Sequence, residues 1–281
     1  MLDRRLNAFR PDLAEKSLEG QVDALRFIDG KPARVSAAVT AMRGKPDRAS
    51  GIDTELLFGE PVSVLDRADG WAWVKSGIDD YVGYVEETAL GAPGAAPSHW
   101  VSVPRTFVYR DPDMKTPTVT ALSMGSRLVV TGEAETRGTR YLLVEGGAVI
   151  ARHVATVDAP VCDDYVTVAS RFLQSPYLWG GRSGFGLDCS GLVQLSMMMT
   201  GSKVLRDTDM QRASIGTEIG RGELRRGDLV FWKGHVAIMT DAATMIHASG
   251  FTMDVSHEGL DEAIARIEPM YGLPLVYRRP S

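Results

Sequence analysis

The chain has 281 residues, with 31 Lys and Arg against 36 Asp and Glu, a net charge of −5 and a pI near 5.6. This balance leaves no basic footprint for nucleic acid, and 44% hydrophobic with 24% charged residues is the composition of an ordinary soluble globular protein. Two cysteines, Cys162 and Cys189, cannot make a disulfide framework, and no window approaches the roughly 18 consecutive apolar residues of a membrane span.

The opening MLDRRLNAFRPDLAEKSLEG carries two early arginines with no apolar stretch behind them. It does not read as a secretory signal, so a cytoplasmic protein is expected. Residues 1–32 are taken as an N-terminal extension. Over 33–91 the runs Val62-Ser63-Val64-Leu65, Trp71-Ala72-Trp73-Val74 and Tyr81-Val82-Gly83-Tyr84-Val85 are separated by turn signals at 68–70 and 77–80. This predicts a small antiparallel barrel or sandwich. The small-residue and proline stretch that follows predicts a linker over 92–98.

Over 99–158 the pattern recurs weakly. Leu122-Ser123-Met124-Gly125 lines up with Leu56-Leu57-Phe58-Gly59, and Tyr141-Leu142-Leu143-Val144 with Trp71-Ala72-Trp73-Val74. A second small β-unit is expected, the alternative being chance likeness among short β-runs. From 159 to 281 the character is mixed. Tyr165 to Gln174 has helical spacing closed by Pro176, and Gly191 to Thr200 is an apolar helix stopped by Gly201. Its methionines, 197 to 199, read as core filler. Leu229 to Trp232, Val236 to Met239 and Thr244 to Ile246 read as strands, which makes this part α+β.

If the apolar helix begins near Ser190, Cys189 lies at its N-terminus. Unpaired amides and the positive helix end there favour a thiolate and can hold an oxyanion. Asp188 works against this, because a neighbouring carboxylate raises a thiol pKa; its presence suggests a positive group bound nearby. A cysteine nucleophile needs a base. Of five histidines, His99 and His153 fall at the linker and in the second β-unit, whereas His235 and His247 flank a hairpin centred near Asp241. With that centre the two are directly opposed on one face, so one can act as base while the other orients it. Two surface histidines on an ordinary hairpin are the alternative. Cysteine and two histidines also suit zinc, but no C-x-x-C or H-x-x-x-H pair is present, so no metal or cofactor is expected.

Five ordered blocks carry a family resemblance: Tyr177-Leu178-Trp179-Gly180-Gly181, Asp188-Cys189-Ser190-Gly191-Leu192, Gly227-Asp228-Leu229-Val230-Phe231, His235-Val236-Ala237-Ile238 and His247-Ala248-Ser249-Gly250. Together they resemble the NlpC-type cell-wall peptidases, a papain-like group. The run LLFGEPVSVLDRADGWAWV with DDYVGYV resembles bacterial SH3-like domains. The resemblance implies an α+β chain of two small SH3-like β-barrels, the second divergent, followed by a papain-like catalytic domain. It implies Cys189 as nucleophile, His235 as general base and His247 as the orienting third member. Tyr177 would stand beside the nucleophile, with Trp179 next to it as a further substrate contact.

With SH3-like units and no export signal, the resemblance extends to enzymes that recycle murein peptides. These cut γ-D-glutamyl-L-diamino acid bonds in peptides with a free N-terminal L-alanine. The implied substrate contacts are Asp188, binding the α-amine, with Ser190 and Thr208, and Tyr81 and Glu55 from the first β-unit, Glu60 being an alternative to Glu55. An exported peptidoglycan endopeptidase and a non-catalytic wall-binding protein stay open. Lysine or diaminopimelate in the third position is not assigned, although Arg182, Arg206 and Arg212 are candidate carboxylate partners. Cys162 is read as structural. No partner beyond the peptide is indicated, and the oligomeric state is unassigned.

Overall fold

The computed structural model describes residues 2–280, and the chain divides into two units between Asp158 and Ala159. In the first unit, a five-stranded antiparallel sheet runs Val82–Glu86, Trp71–Ser76, Pro61–Ala68, Lys31–Val35, Leu90–Gly91, and Val39–Met42 pairs with Thr54–Leu57. Trp73, Leu65 and Val82 cluster with Ala8 and Leu13, so the N-terminal extension packs into this unit. Ala14–Glu15 also pairs in parallel with Phe27–Ile28.

Residues 92–98 have no regular structure and lead into a three-stranded and a five-stranded sheet over 99–156. These enclose Val101, Val108, Leu122, Leu128, Leu142, Val144 and Val149. The weak sequence repeat is a repeated chain path. The Gly59 amide donates to the Val35 carbonyl and the Gly125 amide to that of Val101, both at 2.9 Å. Both glycines sit at positive φ, 77° and 87°, a conformation that disfavours any Cβ. Likewise the Ser36 amide donates to Ala89 and the Ser102 amide to His153.

The second unit contains α1 (Tyr165–Ser170), β1 (Arg182–Ser183), β2 (Gly186–Leu187), α2 (Cys189–Met198), α3 (Thr208–Ser214), β3 (Thr217–Ile219), β4 (Leu229–Trp232), β5 (His235–Met239), β6 (Thr244–Ser249), β7 (Asp254–Gly259), α4 (Leu260–Tyr271) and β8 (Val276–Arg279). A six-stranded antiparallel sheet runs β3-β8-β4-β5-β6-β7. One face meets α4 through Leu260, Ala263, Ile264 and Ile267, an i, i+3, i+4, i+7 stripe set against Val230, Trp232, Ala237, Met239 and Met245. Helix α2 packs on β5 and β6 and is buried from Cys189 to Met197. An all-round apolar helix is what such a central position requires.

Two boundaries differ from expectation. The first helix stops at Ser170 rather than Gln174, because the following amides turn to carbonyls three residues back and that of Gln174, at φ 66°, donates to Val255 of β7. Helix α2 starts at Cys189, two residues early, because the Asp188 carboxylate caps it by accepting the Gly191 amide. No helix among the described residues is long and apolar enough to cross a membrane.

Candidate active site

Glycine supplies the geometry around Cys189. A Cβ on Gly191 would stand 2.2 Å from the Gly181 carbonyl oxygen, and one on Gly181 would stand 2.6 Å from that of Gly186. The β1–β2 hairpin therefore lies directly on the first turn of α2, a contact that no side chain permits. The nucleophile candidate is Cys189, the first residue of α2, and its own amide and that of Ser190 belong to the turn that has no intrahelical acceptors. The thiol is 3.9 Å from the Thr208 hydroxyl at the start of α3 and 3.9 Å from the Gly234 carbonyl. The Val236 amide also reaches it, so the sulfur sits against the backbone on both sides of His235.

The cation beside Asp188 is the protein's own. Arg206, 1% exposed, donates Nη1 to Oδ1 at 2.9 Å and Nη2 to Oδ2 at 2.7 Å. The same carboxylate accepts the amides of Gly191 at 2.7 Å and Gly180 at 3.0 Å and the Ser190 hydroxyl at 3.2 Å. Ser190 also accepts from Arg206 at 2.8 Å. A positive group expected beside Asp188 is thus present within the chain itself. Asp188 and Ser190 form a buried frame for the helix start, and Arg206, a candidate for a substrate carboxylate, is committed to that frame. Arg182 is likewise 1% exposed, whereas Arg212 is half-buried.

His235 and His247 meet, though not as the hairpin spacing implied. The register pairs Ile238 with Ile246 and Met239 with Met245, which centres the turn on Ala242 and sets the histidines diagonally on one face. The Asp241 carboxylate fixes this turn by accepting the amides of Ala243 and Thr244, each at 2.8 Å. A diagonal pair remains within reach of large side chains, and His235 Nε2 lies 2.9 Å from His247 Nδ1. Trp232 flanks the His235 ring at 5.7 Å between centroids.

Burial, with the Asp188 charge second, pushes the Cys189 thiol up to about 11. The Val236 amide, Thr208 and Arg206 pull the other way. Burial also pushes His235 down to about 3, with His247 and Arg266 adding to it, and His247 down to about 4 despite the nearby Glu258. Burial thus disfavours the charged form of each of these three groups. Glu258 escaped the sequence reading. It lies on β7 opposite Met245, 3.2 Å from His247 Nε2.

Tyr177 is half-buried beside the site, its phenol pushed up by burial and then by the Cys189 and Asp188 charges. Trp179 is 70% exposed. Tyr81 and Glu55 belong to the first unit, and both are buried. Glu60, also buried, accepts the Leu57 amide at 2.9 Å and so closes its own turn. Cys162 is half-buried and donates to the Asp164 carbonyl. Among the described residues, no group of three or more His, Cys, Asp and Glu is placed to hold a metal ion.

A helix-start thiol served by a paired imidazole, on this α+β scaffold, defines a cysteine peptidase. Residues 174–268 match the NlpC/P60 family and residues 42–90 match the bacterial dipeptidyl-peptidase SH3 domain. The chain thus joins an SH3 domain of that type to an NlpC/P60 domain. It is 26% identical to dipeptidyl-peptidase 6 of Lysinibacillus sphaericus, covering 82% of this chain and 92% of that one. It is 28% identical to a γ-D-glutamyl-L-lysine dipeptidyl-peptidase of Bacillus cereus, covering 71% and 68%. An NlpC/P60 family protein structure from Bacillus cereus shares the fold, with a TM-score of 0.74 and 22% identity over 89% of this chain and 99% of that one.

Proposed function

We propose that the protein hydrolyses the γ-D-glutamyl-L-diamino acid bond of murein-derived peptides that begin with a free L-alanine, in the recycling of cell-wall peptides in the cytoplasm. The observation that carries the reading is Cys189 at the start of α2 beside the His235–His247 pair, in a chain similar over most of its length to dipeptidyl-peptidases. In this reading the Cys189 S–H bond breaks as its proton moves to His235, and the sulfur adds to the γ-glutamyl carbonyl. The first-turn amides of α2 face the oxyanion, and His235 returns its proton to the departing amine. Water activated by the same imidazole then releases the acyl group.

Thr208 and Tyr177, which interact with Cys189, are assigned to peptide binding, as are the exposed Trp179 and Tyr81 and Glu55 of the first unit. Residues 99–158 are read as a second, divergent SH3-like barrel, supported by the repeated hydrogen bonds at Gly59 and Gly125. The test compares L-Ala-γ-D-Glu-diaminopimelate, its lysine counterpart and an N-acetylated form, with release of the diamino acid followed by mass spectrometry. Cleavage of the free-amine peptides that is lost in Cys189→Ala supports the reading. Absence of cleavage overturns it, and equal cleavage of the acetylated peptide removes the amine requirement and the recycling role.

A further inference from the structure

The site continues past His247 in a line of polar contacts. His247 Nε2 is 3.2 Å from Glu258 Oε2. The Glu258 carboxylate is gripped by Arg266 of α4, with Nε on Oε1 at 2.8 Å and Nη2 on Oε2 at 2.6 Å. The Arg266 guanidinium in turn lies 4.8 Å from the centre of the Phe251 ring. The charged groups that act on the imidazole pair are thus Glu258 and Asp254 from β7 and Arg266 from α4, while Cys189 of α2 lies against the Gly234 carbonyl next to His235.

Hydrogen-bond logic turns this line into a statement about tautomers. An ionised carboxylate only accepts, so the His247 nitrogen facing it must carry the proton. A neutral His247 then has its lone pair on Nδ1, and the His235 Nε2 atom 2.9 Å away must donate to it. The lone pair of neutral His235 is thereby left on Nδ1, the nitrogen not engaged by His247. The opposite tautomer pair would put an N–H there, and such a ring cannot accept a proton from a thiol. We propose that Glu258, oriented by Arg266, is a positioning residue that selects the base-competent tautomer of His235 through His247. The inference rests on the assignment of Cys189 and His235 as nucleophile and base.

The proposal also fits the transfer step. When the Cys189 proton arrives on His235, the imidazolium donates to His247, and the fixed carboxylate offsets the new charge. Arg266 holds Glu258 well below the usual carboxylate range, against the effect of burial, so the acceptor persists at neutral pH.

Glu258→Leu removes the acceptor, and Glu258→Gln keeps an oxygen of the same reach without the charge. Nitrogen-15 NMR of the imidazoles at pH 7, with His99, His153 and His257 as internal references, reads the tautomers directly. The wild-type protein is expected to show Nε2–H at both His235 and His247, and Glu258→Leu a mixture. In the peptide assay, Glu258→Leu is expected to lower kcat about 10- to 100-fold, by analogy with the loss of the carboxylate that orients a metal-ligating histidine, with KM nearly unchanged and Glu258→Gln in between. A merely structural tie between β7 and α4 would leave the tautomers alone.

Wild-type tautomers and kcat in both variants would overturn the proposal while leaving the peptidase reading intact. If the wild-type protein cleaves no peptide, that reading fails, and the NMR comparison still decides the role of Glu258. Should Glu258→Leu not fold, Glu258→Gln and Arg266→Met carry the test: a shifted tautomer ratio in either supports the proposal, and wild-type ratios in both overturn it.

Discussion

Replacing Arg206 by methionine is expected to loosen the start of α2 more than any single lost contact would suggest. The guanidinium is 1% exposed and donates to both Asp188 oxygens, to Ser190 and to the Gly181 carbonyl. Breaking a buried pair from one side costs about 3–5 kcal/mol, since the remaining charge has lost its counter-ion. Asp188 would keep two amides and a hydroxyl, which places the cost near the lower end, about 3 kcal/mol. Asp188→Asn is expected to cost more, about 4–5 kcal/mol, because a guanidinium cannot shed its proton to escape burial. The double variant should lose less than the sum of the two, with a coupling of about 1–3 kcal/mol. Native-state hydrogen exchange of residues 189–198 by mass spectrometry reads the opening free energy of this helix without requiring the two units to unfold together. A cost below about 1 kcal/mol for Arg206→Met, or strictly additive single effects, would refute the buried-pair reasoning.

Other outcomes follow from the same geometry. Protonated His235 cannot take the thiol proton, so activity is present above its pKa and lost as pH falls through it. Because burial lowers that pKa to about 3, kcat/KM is expected to hold between pH 7.5 and 5.5, and half-loss near 6.5 would contradict the buried-base assignment. Gly191→Ala gains helix propensity, yet its Cβ would meet the Gly181 carbonyl oxygen at 2.2 Å. A lower melting temperature and reduced kcat are therefore expected, and a stabilised, active variant would show that the β1–β2 hairpin does not lie on the helix. Cys162→Ala is expected to retain wild-type turnover in the peptide assay, because its thiol donates to the carbonyl of nearby Asp164; a large loss would move chemistry to that cysteine.

The candidate nucleophile and its two histidines are legible in sequence because each sits in a block whose neighbours fix its element: glycines ahead of a helix for Cys189, apolar strand residues after His235 and before His247. Register is not legible at that level. The turn centre depends on the Asp241 carboxylate capping two amides, and moving it by one residue changes direct opposition into a diagonal. The partner of Asp188 is hidden for another reason. Arg206 is 18 residues away in a segment without periodic pattern, so a local reading looks for the missing cation in the substrate. Helix α4 is different, since its stripe from Leu260 to Ile267 is visible but Pro269, inside its last turn, reads as a breaker. Without α4 there is no Arg266, and Glu258 then looks like one more charge on a surface strand.

The resting protonation of the site has a bearing on the cell's weather. Peroxide, quinones and other stray electrophiles attack sulfur chiefly as the anion. A thiol whose pKa is raised by burial and by Asp188 meets them more in its less reactive form. In the proposed mechanism it becomes a nucleophile as His235 accepts its proton during attack on the bound carbonyl. Iodoacetamide at pH 7 is therefore expected to label Cys189 slowly, and rapid labelling would show that the thiolate is already populated without substrate.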